Sequence, residues 1–98
     1  MESFAIQLTR AAASDLDHIA DELKNKILIE IRNLANNPFF HGGSIKKLRG
    51  FKPPLYRLRS GDFRIIYHVE GTLITIMRII NRKELEKIIK MLKESRRG

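Results

Sequence analysis

LYRLRSGDFRIIYHV, residues 55–69, holds two runs of β-branched, aromatic and long side chains on either side of Ser60-Gly61-Asp62. Short apolar-rich runs flanking a Gly-Asp pair predict a β-hairpin. With Gly61-Asp62 as a two-residue turn, Ser60 faces Phe63, Arg59 faces Arg64, Leu58 faces Ile65 and Arg57 faces Ile66. Side chains alternate along a strand, so Arg57, Arg59 and Arg64 fall on one face and Tyr56, Leu58, Ile65 and Tyr67 on the other. Two arginines directly opposite each other repel. No acidic neighbour on that face offsets them, which fits an anion site. It fits equally a solvated face whose charges diverge into water, and a three-residue turn with a bulge would shift the register.

Downstream, Glu70-Gly71-Thr72 is a second turn and Leu73–Ile80 a third strand, so the segment reads as an antiparallel meander. Asn81-Arg82-Lys83-Glu84 has capping-box spacing and opens a last helix. Leu85, Ile88, Ile89 and Leu92 form its narrow apolar stripe, and the tail Ser95–Gly98 is expected to fray. Upstream, Asn36 to Pro54 is rich in Asn, Gly and Pro and reads as loop, with Gly42-Gly43 as a loop tip. Before it, Ala12, Leu16, Ile19, Ala20, Leu23, Ile27, Ile31, Leu34 and Ala35 recur at helical spacing. Thr9 is the predicted N-cap. Whether residues 10–36 make one helix or a hairpin of two, with Asp21 capping the second, is left open by the pattern. Ser3–Leu8 alternates as a first strand. The expectation is one domain over residues 1–98 of class α+β: an N-terminal strand, a helical segment, a three- to four-stranded mainly antiparallel sheet with helices on one face, and a C-terminal helix.

Composition supplies the rest. The 98 residues carry 19 Lys plus Arg against 11 Asp plus Glu, a net charge of +8, with no Cys. Such an excess draws polyanions or acidic partners. Disulfides, thiol nucleophiles and thiolate metal sites are excluded. No apolar run approaches the roughly 20 residues of a membrane span, so no membrane partner is expected. No signal-peptide pattern opens the chain, which points to the cytoplasm. His18, His41 and His68 lack metal-ligand spacing, there is no Walker or Rossmann glycine pattern, and no cofactor or metal is expected. Lys46, Lys47, Arg49 and Lys52 approach the hairpin, and Arg82 and Lys83 start the last helix. Together with the strand arginines they would line a basic groove suited to phosphates. Arg78 is ambiguous as to face. Tyr56, Phe63 and Tyr67 offer rings for stacking or, for the two tyrosines more simply, for packing.

KLRG at 47–50, the 55–69 block, ITIMRI at 74–79 and NRKEL at 81–85 together resemble the RelE/ParE toxin superfamily of type II toxin–antitoxin systems. The resemblance covers essentially the whole chain and implies the RelE-like fold with its helical hairpin. RelE-type members cut mRNA in the ribosomal A site without metal; ParE-type members poison DNA gyrase. By position the resemblance makes Arg57, Arg59, Arg64 and Arg82 the catalytic set, with Lys46, Lys47, Arg49, Lys52 and Lys83 binding RNA. The partners it implies are the ribosome and mRNA, and an antitoxin with an acidic amphipathic segment. RelE toxins often carry a Tyr one turn into the last helix, where this chain has Glu86. That departure keeps two alternatives in view, a ParE-like gyrase inhibitor and an inactive toxin fold that only binds its antitoxin. Arginine is a poor base, so a proton acceptor would have to come from Lys46, Lys47, His68 or Glu86, or from the ribosome. Glu86 also stands four residues from Arg82 and Lys90, at ion-pair spacing.

Overall fold

The computed structural model describes residues 3–39 and 43–95. The elements run β1 (Ala5–Leu8), α1 (Arg10–Asp17), α2 (Asp21–Leu34), β2 (Ile45–Leu48), β3 (Leu55–Ser60), β4 (Phe63–Glu70), β5 (Leu73–Asn81), a 3-10 turn (Arg82–Glu84) and α3 (Leu85–Ser95). Five strands form one sheet in the order β1-β5-β4-β3-β2. β1 pairs parallel to β5 and every other pair is antiparallel. The class is α+β as expected, with more strands than the sequence pattern gave.

The helical segment is a pair. α1 starts at Thr9, whose hydroxyl accepts from the Ala12 amide at 3.1 Å and donates to the Met77 carbonyl at 2.9 Å. The cap therefore satisfies a free amide of the first turn and ties it to the sheet. Asp21 is not the cap of α2. Ala20 holds that position without a side-chain bond, and Asp21 and Glu22 lie in the first turn, where their charge suits the helix dipole.

β2 lies inside the stretch expected to be loop. Its four residues carry no period-two signal, because Ile45 and Leu48 turn to opposite faces and each face also receives a lysine. The loop tip expected at Gly42, with His41, falls outside the described residues, as does the tail beyond Ser95.

Both faces of the sheet are covered, where helices on one face were expected. On one side Ala12, Leu16, Ile27, Ile31 and Leu34 of the helical pair pack on Leu58, Ile65, Tyr67, Ile74, Ile76 and Ile79. On the other, Ile88 with the flanking Leu85, Ile89 and Leu92 packs on Ile66, Ile80, Leu55 and Phe51. The sequence shows the α3 stripe but not the strand positions that receive it, since Leu55, Ile66 and Ile80 share a face with arginines.

Candidate functional site

Both hairpin turns place glycine first, Gly61 at φ +56° and Gly71 at φ +59°. That positive φ is the geometry of a tight two-residue turn and fixes the register on either side. Arg59 therefore stands opposite Arg64, Leu58 opposite Ile65 and Arg57 opposite Ile66, as the two-residue turn requires. Across the next pair Lys46 stands opposite Arg57, and Arg64 opposite Ile80.

On the α3 face these pairs make three rows. The first is Arg59, Arg64 and Ile80; the second Lys46, Arg57 and Ile66; the third Leu48, Leu55, His68 and Thr75. Ile80, Ile66, Leu55 and Leu48 form a diagonal, and α3 lies along it. One corner of the sheet beside that diagonal is left open, and it is filled by cations: Arg64, Arg59, Arg57 and Lys46. Arg82 closes the corner. Its amide donates to the Asp62 carbonyl at 2.8 Å and its Nε is 3.7 Å from Asp62 Oδ1. The turn thus holds the start of the last helix against the hairpin tip. Asn81 caps this start by accepting from the Lys83 amide at 3.0 Å. The cap goes to this amide because the first turn is 3-10, one residue tighter than an α-helical capping box.

The electrostatics follow the crowding. Arg64 is held below its ordinary pKa by burial, then by Arg57, Arg59 and Arg82, with Asp62 acting the other way. Arg57 is lowered by burial first and by Arg59 second. Its Nε is buried and has no hydrogen-bond partner among the described residues. Arg64 Nη1 donates to the carbonyls of Gly61 and Phe63, each at 2.9 Å, which aims the guanidinium from the hairpin tip. A cluster of four guanidinium groups with one exposed carboxylate is an arrangement completed by an anion with several acceptor oxygens, such as a phosphate diester.

The other sequence candidates divide. Lys83 lies in the 3-10 turn beside Arg82, while Arg49 and Lys52 lie exposed in the β2–β3 connection near the far end of α3. There Lys93 Nζ stands 5.8 Å over the Phe51 ring. Lys47 leaves the group: opposite Tyr56, it takes the face of the helical pair. Tyr56, Phe63 and Tyr67 take that face too, so none of these rings stands among the arginines. Tyr67 is fully buried, stacks on Tyr56 with ring centroids 5.6 Å apart, and donates its hydroxyl to the Pro38 carbonyl. His68 lies across the α3 diagonal from the arginine corner, its Nδ1 3.5 Å from Glu70 Oε1. Glu86 is exposed and, among the described residues, forms no ion pair with Arg82 or Lys90.

Arg78, whose face the pattern could not assign, is settled by its contact with α1. Tyr67 pairs with Ile76 but Ile66 with Arg78, so Met77 is an extra residue in β5. Arg78 reaches α1 from just beyond this bulge. There it makes a two-bond contact with Asp15, Nε to Oδ2 at 2.8 Å and Nη2 to Oδ1 at 3.0 Å, while the Ile79 amide donates to Oδ2 at 2.9 Å. Arg78 is a bolt between helix and sheet, outside the cationic corner. With the second turn two residues long, Arg78 falls in period with Ile74 and Ile76, which face the helical pair.

A sequence model of the family described as "ParE toxin of type II toxin-antitoxin system, parDE" matches residues 6–90. The chain belongs to this toxin family. Among curated proteins it is similar to Toxin RelE3 of Methanocaldococcus jannaschii, 27% identical over 82 residues that cover 82% of this chain and 92% of the relative. Among solved structures the toxin resembles the RelB–RelE antitoxin–toxin complex from Methanococcus jannaschii, with 26% identity, 83% and 95% of the two chains covered, and a TM-score of 0.67. It shares its fold with the archaeal RelE–RelB complex from Pyrococcus horikoshii OT3, with 24% identity, 82% and 96% covered, and a TM-score of 0.72. The RelE/ParE superfamily resemblance therefore stands, and the toxin is one of a type II toxin–antitoxin system. Among its described residues no helix is long and apolar enough to cross a membrane.

Proposed function

We propose that this toxin is a ribosome-dependent mRNA endonuclease of RelE type that acts in the cytoplasm and is silenced by an acidic antitoxin. The observation that carries the reading is Arg64, aimed from the hairpin tip by its bonds to the Gly61 and Phe63 carbonyls and set directly opposite Arg59; burial first, and then the charges of Arg57, Arg59 and Arg82, lower its pKa. Four guanidinium groups converging on one open corner match the charge that gathers on phosphoryl oxygens during diester cleavage.

The reaction suited to this corner uses the RNA's own 2′-hydroxyl. The 2′-oxygen bonds to the adjacent phosphorus, the P–O5′ bond breaks, and the products are a 2′,3′-cyclic phosphate and a 5′-hydroxyl. One proton leaves the 2′-hydroxyl and one reaches the departing 5′-oxygen. Arginines hold the phosphate and stabilise its added charge. Of the four candidate proton carriers, Lys47 and His68 stand away from the corner. Lys46, opposite Arg57, and Glu86, one turn beyond Arg82, are placed near it. Ribosomal groups supply whatever proton transfer these two do not.

A structural relative of this toxin was solved as a RelB–RelE antitoxin–toxin complex, which supports a cognate antitoxin here. An acidic segment lying in the corner would neutralise the same arginines that hold RNA. A second reading rests on the match to the ParE model over residues 6–90 together with Glu86 in the slot where RelE toxins often carry Tyr: a gyrase inhibitor without nuclease chemistry. The deciding experiment adds purified toxin to programmed ribosomes kept intact by polyamines, with EDTA present, and maps mRNA 5′ ends. New 5′-hydroxyl ends in the A-site codon support the endonuclease. Intact mRNA with inhibited gyrase supercoiling supports the second reading.

A further inference from the structure

Lys46 and Lys47 are adjacent on β2, which forms one edge of the sheet. They leave that edge on opposite faces, Lys46 beside Arg57 in the cationic corner and Lys47 beside Tyr56. On the Lys47 side stands Phe39, half exposed at 50%. Its ring rests edge-to-face on Tyr56, with centroids 5.7 Å apart at 67°, and on Phe4 at 6.0 Å and 83°. Tyr56 is in turn stacked on the buried Tyr67. The exposed ring is therefore braced from below by a chain of aromatics, and Lys47 stands across the strand pair from Tyr56, on which that ring rests.

We propose that Phe39 and Lys47 form a stacking platform for one unpaired base of an RNA strand that passes around the β2 edge from the arginine corner. The inference rests on the reading of that corner as a phosphate-binding site and extends the RNA contact to the other face. Charge complementarity selects the occupant. Lys46, Lys47 and Arg49 line the edge between the two faces, and the chain as a whole carries +8. A polyanion with exposed flat rings satisfies both features at once: cations follow its backbone while an aromatic side chain takes a base by its π-face. A single strand can present such a base, whereas a duplex keeps its bases stacked inside. This gives Lys47 a role that its separation from the arginines would otherwise deny it.

The test measures binding of a short fluorescein-labelled oligo(A), with polyphosphate of matched charge as the probe lacking bases. Phe39→Leu keeps the apolar packing and removes the ring; thermal melting checks that the fold survives. Phe39→Leu is expected to weaken oligo(A) binding by roughly tenfold and leave polyphosphate binding unchanged. Lys47→Gln is expected to weaken both probes and to reduce the salt slope for oligo(A) by about 0.7, the value for one phosphate contact on a single strand. Unchanged oligo(A) affinity in Phe39→Leu overturns the platform, as does an equal loss for both probes. So does a Phe39→Leu protein that keeps its RNA affinity but loses affinity for an acidic antitoxin segment, which would assign the surface to protein instead. If the wild-type toxin binds polyphosphate but binds oligo(A) no tighter, the platform fails and the arginine corner stands. If it binds neither, the corner fails with it.

Discussion

Replacing Arg64 by Ala separates the stability of the toxin from its activity. The guanidinium makes two hydrogen bonds, to the Gly61 and Phe63 carbonyls. Both acceptors lie near the hairpin tip, where water replaces the lost donor, so each bond is worth at most about 0.5 kcal/mol. Against this, Arg64 repels Arg59 directly across the strand pair, a cost of about 0.2 to 1 kcal/mol for like charges in that position. Arg57 and Arg82 add to the repulsion at longer range. The terms nearly cancel, so the folding free energy is expected to stay within about 1 kcal/mol of wild type. For a chain of this size that is a shift in Tm of no more than about 4–8 °C in either direction. Activity responds differently. Loss of one contact to a developing oxyanion lowers a rate by about a hundredfold or more. The assays are a urea unfolding curve for stability, growth arrest on induction, and mRNA 5′-end mapping for cleavage. A folded Arg64→Ala protein that still arrests growth and cuts mRNA at the wild-type rate would refute the placement of the active site in this corner.

Asp15→Asn tests the bolt between α1 and β5. It removes the charge that holds Arg78, and the Ile79 amide then donates to a weaker, neutral acceptor, in a site where Asp15 and Arg78 are 16% and 25% exposed. A loss of about 2 to 3 kcal/mol is expected, read as a drop in urea midpoint, with activity retained at low temperature because Arg78 lies outside the corner. Tyr67 makes the alkaline limit of stability specific. Burial, and secondarily Tyr56, pushes its hydroxyl above the ordinary value of 10.0. The folded state therefore holds the proton more tightly than the unfolded chain, and the stabilisation is fully present below about pH 10 and lost progressively as pH rises above it. Urea midpoints across pH 8 to 11 should fall less steeply at the upper end in Tyr67→Phe than in wild type; parallel curves would contradict the assignment.

How much of this was legible in the sequence depends on where two signals competed. The hairpin was readable in detail because Gly61-Asp62 fixes a two-residue turn, and the turn fixes which residues face each other. Thr9 was readable because capping is a local hydrogen bond. β2 was not, because IKKL divides its apolar residues between two faces and the flanking glycines and prolines argue for loop. The second covered face was not legible either. Leu55, Ile66 and Ile80 are spread over three strands and interleaved with arginines, so they form an apolar diagonal only after the register is known. The same holds for Lys47. Its neighbour Lys46 reaches the corner, and nothing in a run of two lysines says which one will. Arg78 needed the length of the second turn, and Ile79 and Ile80 needed the bulge at Met77, a one-residue irregularity that reverses the faces of the strand beyond it.

The open corner is a seat that the proposed function would have two partners share. α3 covers the sheet along its apolar diagonal and stops short of the rows that carry Arg57, Arg59 and Arg64. Covering those residues with another apolar helix would bury charges without partners, at a cost of several kcal/mol each. Leaving them open keeps the repulsion, which water and salt reduce but do not remove. Free toxin is therefore the least satisfied state of this surface. An anion that binds the folded corner and not the unfolded chain lowers the free energy of the folded state in proportion to its affinity. On the proposed reading, an RNA phosphate would do this during turnover and leave with the product. An acidic antitoxin segment would do it for as long as its apolar residues held it in place, so the charge that recruits the substrate would also recruit the inhibitor. Occupation by one would then exclude the other, because both would require the same four guanidinium groups.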